Sequence, residues 1–96
     1  MLFAAYNYRA FYYSPKHMTD FFALIHVNSE VLNFRFTRIF VVRGLKFFVT
    51  VVDMKRHLVS FNMQKNANNE WQLVSPYPDW VGAIEQDLAR AIDLHF

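Results

Sequence analysis

The sequence predicts an α+β fold: a four- to five-stranded antiparallel β-meander with a C-terminal amphipathic helix packed on one face. Three observations carry it. Between Phe34 and Trp71, apolar and polar residues alternate at period two in short runs separated by turn residues. The links between runs are too short for crossovers, so neighbouring strands pair antiparallel. From Trp80 onward the apolar period becomes that of a helix. The 96 residues make one domain, divided into an N-terminal aromatic segment (1–19), a sheet (20–74) and a helix (75–95).

Residues 1–13 are apolar on every face and fit neither period. Their alanines favour a helix and their tyrosines a strand. Ser14-Pro15-Lys16-His17 is a break, because proline pushes the residue before it out of helical geometry. Met18 offers a second place for translation to begin. Residues 20–27 are a nearly continuous apolar run that periodicity alone reads as strand or buried helix; Phe, Ile and Val favour strand. Asn28-Ser29-Glu30 is a turn.

Leu32, Phe34, Phe36, Phe40 and Val42 then share one face, with Asn33, Arg35 and Thr37 on the other. Arg38 interrupts the apolar row, which predicts a bulge or an exposed strand end. After a turn at Arg43-Gly44, Leu45, Phe47, Val49 and Val51 form the next inward row. Asp53-Met54-Lys55-Arg56 is a loop of hairpin length, and Val59, Phe61 and Met63 make the third row. Asn66-Ala67-Asn68-Asn69 is the strongest turn, since asparagine tolerates positive φ. Trp71 and Leu73 begin a short last strand.

Ser75 before Pro76, or Asp79 before Trp80, is placed to cap the helix. Trp80, Val81, Ile84, Leu88, Ala91 and Ile92 form its core stripe, while Glu85, Gln86, Arg90 and Asp93 lie opposite as a solvated face. One helix covers one sheet face. The other parity still carries Ile39, Val41, Phe48, Val52 and Leu58, more apolar than a wetted antiparallel face should be. A cover is expected, from residues 1–13 or from a second subunit.

Composition narrows the function classes. Eighteen aromatics, eleven of them Phe, are hard to hide in one small core. The absence of cysteine excludes disulfides, thiolate metal sites and cysteine nucleophiles. No apolar run reaches the ~20 residues of a membrane span, and the N-terminus does not read as a secretory signal, so cytoplasmic residence is the default. Six bases and one acid lie between Arg35 and Arg56, whereas residues 66–96 carry five acids and one base.

Catalytic chemistry finds little support. His17, His26, His57 and His95 show no ligand spacing, so no metal or other cofactor is expected. His26 reads as a core or edge residue, and His95 suits a helix C-terminus. Asp53 and His57 flank one loop and invite comparison with an acid–base pair, but aspartate at a turn start usually binds local backbone. No nucleophile elbow is present, and two glycines cannot build a phosphate loop.

The leading expectation is a non-enzymatic interaction module, a homodimer joined through the second sheet face. Ile39, Val41, Phe48 and Val52 are its contacts, with Tyr6, Tyr8 and Tyr12 as anchors. The alternative is a nucleic-acid-binding domain using Arg35, Arg38, Arg43 and Lys46, where bases interleave with aromatics. Arg43 to Val49 begins like an aromatic RNA-binding strand, but Leu45, Lys46 and Thr50 depart from that pattern. A binder of a small apolar ligand, or an enzyme, is third.

Overall fold

The computed structural model describes residues 20–42 and 44–95. Five strands follow one another: β1 (Asp20–Val27), β2 (Glu30–Val41), β3 (Gly44–Val52), β4 (Leu58–Lys65) and β5 (Trp71–Val74). They lie in the sheet in chain order, and each pairs antiparallel with the next, so the sheet is the expected meander. Two helical pieces close the chain, α1 (Asp79–Gly82) and α2 (Glu85–His95). The ambiguous run at residues 20–27 is a strand, paired with β2 from Asp20↔Thr37 to Val27↔Glu30.

Turn chemistry sets these pairings. Asn28 holds φ 59° in the two-residue link between β1 and β2. β3 opens at Gly44, whose φ of 133° is open to glycine and costly for other residues. The next two loops share one design. Asp53 Oδ1 accepts from the N–H groups of Lys55 and His57, while Arg56 sits at φ 68°. Asn66 Oδ1 accepts from Asn68 and Glu70, while Asn69 sits at φ 64°. In each, the backbone of the first residue also bonds both ways across the loop, for example Asp53 N–H to the His57 carbonyl at 2.9 Å.

Side-chain alternation places Phe21, Ile25 and Val27 of β1, Leu32, Phe34 and Phe36 of β2, and Phe47, Val49 and Val51 of β3 in one buried layer. Phe61, Met63, Trp71 and Leu73 continue it, and Val81, Ile84, Leu88, Ala91 and Ile92 cover it from the helices. The rings interlock: Phe21 stacks on Phe36 at 4.6 Å and on His95 at 4.3 Å, and Phe47 meets Trp71 edge-on at 5.2 Å. Each large apolar side chain in this layer contributes about 1.5–3 kcal/mol through burial.

Several local expectations are corrected. Phe40 and Val42 are exposed rather than part of the inward row. Among the described residues the β1–β2 pairs run from Val27↔Glu30 to Asp20↔Thr37, and β2 continues to Val41. The β2–β3 register is uninterrupted through Arg38↔Phe47 to Val41↔Gly44, so Arg38 is neither a bulge nor an exposed strand end but a half-buried residue within β2. The helix begins at Asp79, not Ser75, with Pro78 in extended geometry at the N-cap position and no side-chain cap from Ser75 or Asp79. It is also broken. Gly82 lets the Tyr77 ring approach to 3.3 Å of where a Cβ would stand, and the chain steps through Ala83–Ile84 before α2 starts. Trp80 is only half-buried, tilted against Phe34 at 6.4 Å.

Finally, Glu85 is not on a solvated face. It is half-buried, and its Oε2 accepts the Leu73 N–H at 2.8 Å. Leu73 lies on edge strand β5, so this carboxylate ties the helix to the sheet edge.

Candidate functional site

The face of the sheet away from the helices is built by the opposite parity of every strand. Its register gives it a pattern that the sequence conceals. One row across the sheet is Phe22, Arg35, Thr50 and Ser60. The next is Asp20, Thr37, Phe48, Asn62 and Val74. A third is Ile39, Lys46, Gln64 and Gln72. These rows are mixed in polarity.

The end of the sheet holding the β1–β2 turn and the β3–β4 loop differs. Leu24 pairs with Asn33, His26 with Val31, and Val52 with Leu58. Extending the β2–β3 register by two residues past Arg35↔Thr50 brings Val52 level with Asn33. The apolar members remain open: Leu24 is 51% exposed, Val31 50%, Val52 53% and Leu58 72%. Met54, in the adjoining loop, is also exposed. Apolar side chains therefore gather at this end on either side of Asn33, with no carboxylate and no lysine or arginine in the paired positions.

The residues expected at an interface are therefore divided. Val52 belongs to this patch. Phe48 is separated from it by the row of Arg35, Thr50 and Ser60, and Ile39 and Val41 lie towards the opposite end. Tyr6, Tyr8 and Tyr12 are outside the described residues. Leu24, Val31 and Met54 were not expected as contacts. Leu24 and Val31 follow from parity once residues 20–27 are fixed as a strand.

The proposed nucleic-acid contacts do not share a face. Arg35 is on the outer face and donates from Nε to Asp20 Oδ2 at 2.7 Å. Lys46 is on the same face and half-buried. Arg38 has the parity of the helix-covered face, with its guanidinium 5.4 Å from the Phe40 ring. Arg43 lies outside the described residues.

The histidines have structural surroundings. His57 Nδ1 is 3.9 Å from Asp53 Oδ2, but Asp53 already accepts two loop N–H groups, and the pair sits in an exposed loop. His95 Nδ1 is 3.0 Å from the Ala91 carbonyl oxygen, which can only accept, so Nδ1 carries the proton in this contact. His26 is exposed on the outer face, and His17 is outside the described residues. Among the described residues no three His, Asp or Glu side chains converge as metal ligands would.

A groove of about 530 Å³ runs between β1 and α2, with Ala23, Leu24 and Ile25 on one wall and Ala91 and Leu94 on the other. Asp87 and Arg90 at its rim pair with each other at 3.2 Å. Among the described residues, no helix is long and apolar enough to cross a membrane. Comparison with protein-family models, curated proteins and solved structures found no match.

Proposed function

We propose that this protein is a non-catalytic interaction module that self-associates through the outer face of its sheet, as a two-fold homodimer. The observation that carries the reading is the exposed patch of Leu24, Val31, Val52 and Leu58. Exposed apolar side chains gathered on one sheet face mark an interaction site more often than scattered ones do.

A second copy of the chain is the occupant because the face complements itself. Its apolar end carries no Asp, Glu, Lys or Arg in its paired positions, so two copies meeting there bring no such like charges together. Its size is that of a modest interface. Strands about 4.8 Å apart, rising about 3.3 Å per residue, make a face roughly 500–600 Å² in projection. That projection is below the ~800 Å² per partner of a standard interface and fits a modest one. In a two-fold arrangement the same patch serves both subunits. A nucleic acid is less well served, since Arg35 already binds Asp20 and Arg38 belongs to the other parity. Cytoplasmic residence is part of the proposal.

The test is light scattering on the full chain at micromolar concentration, with Val52→Asp and Leu58→Lys as separate variants. Dimers in the parent chain, and monomers in variants that keep the parent's cooperative melt, are expected. A monomeric parent chain would sink the proposal and point to residues 1–13 as the cover.

A further inference from the structure

The outer-face patch contains one titratable side chain within its apolar rows. His26 is exposed, faces Val31 across the β1–β2 pair, and stands two residues beyond Leu24 on the same face. We infer that self-association through this face is pH-controlled, with protonation of His26 dissociating the two copies. This rests on the self-association reading.

Histidine changes charge between about pH 5 and 8, and a charged imidazole resists transfer from water into an apolar contact. A two-fold interface brings the same patch from both subunits together, so each dimer desolvates two such rings. The associated state then binds fewer protons than the free subunits, and falling pH favours the free subunits.

The charged neighbours do not cancel this. On β2, Glu30 is an exposed turn residue paired with Val27, and Arg35 is committed to Asp20. On α2, Asp87, Arg90 and His95 share the β1–α2 groove with His26, but Asp87 pairs with Arg90 and His95 bonds to Ala91. None is a carboxylate bonded to His26. His57 is the second histidine near the patch, next to Leu58, but it faces the Asp53 carboxylate at 3.9 Å.

Sedimentation equilibrium on the full chain at about pH 7.5 and about pH 5.5 tests the inference, alongside His26→Asn and His57→Asn. The parent dimer should weaken on the order of tenfold or more at the lower pH. His26→Asn should abolish that shift and His57→Asn should keep it. A dimer of equal affinity at both pH values, or a shift that survives His26→Asn, overturns the pH control while leaving self-association intact. A parent chain monomeric at both pH values overturns self-association itself, and the pH control with it.

Discussion

At the scale of single residues, the hairpin loops show how little sequence is needed to fix a turn. Asp53 and Asn66 each offer one short side-chain oxygen to two N–H groups, at 2.8–3.0 Å. Each is followed three residues later by a residue at positive φ. Asn69 suits that position because its short polar side chain tolerates left-handed backbone; Arg56 suits it less well. Arg56→Gly should therefore raise stability by roughly 0.5–1 kcal/mol, and Asn69→Gly should change it little, in urea unfolding. Asp53→Ala should lower stability by about 1–2 kcal/mol, because two loop N–H groups lose their acceptor. The Asn66 loop was legible in the sequence from its run of asparagines. Asp53 was legible as a turn former, but the strained Arg56 was not, since nothing local in Lys55-Arg56-His57 demands positive φ.

At the scale of elements, strand identity and parity were readable wherever one face is buried. The alternation of Leu45, Phe47, Val49 and Val51, and of Phe61 and Met63, fixes which side chains enter the core. Alternation says nothing about where the cover stops. Phe40 and Val42 continue the row in sequence but lie past the last pair described between β1 and β2, and they are exposed. The helix is a similar case. Its stripe of Ile84, Leu88, Ala91 and Ile92 was plain, but the helical wheel treats Glu85 as solvated. Only the position of β5 beside α2 shows that the Leu73 N–H needs an acceptor. Glu85→Ala should cost about 1–2 kcal/mol in thermal or urea unfolding. Glu85→Gln keeps an acceptor oxygen and should cost less. Equal losses in both variants would mean that the bond to Leu73 is not what Glu85 contributes.

At the scale of the molecule, the aromatic surplus has two fates. Phe21, Phe34, Phe36, Phe47 and Trp71 make the core, and Phe21 carries the end of α2 through its stack with His95. Phe40 and Phe48 are left outside it. The apolar character of the outer face was legible from parity, and Val52 and Leu58 were recognised on it. Its concentration at the β3–β4 end was not, because that depends on bringing Leu24 and Val31 alongside through the β1–β2 pairing, a relation between strands rather than within one.

The most direct measurement is the mass of the full chain in solution across micromolar concentrations, compared with that of Val52→Asp. Self-association through the outer face predicts a parent chain that shifts from monomer to dimer as concentration rises, and a variant that stays monomeric while melting as cooperatively as the parent. A parent chain that remains monomeric throughout, or a variant that dimerises as tightly as the parent, would contradict it.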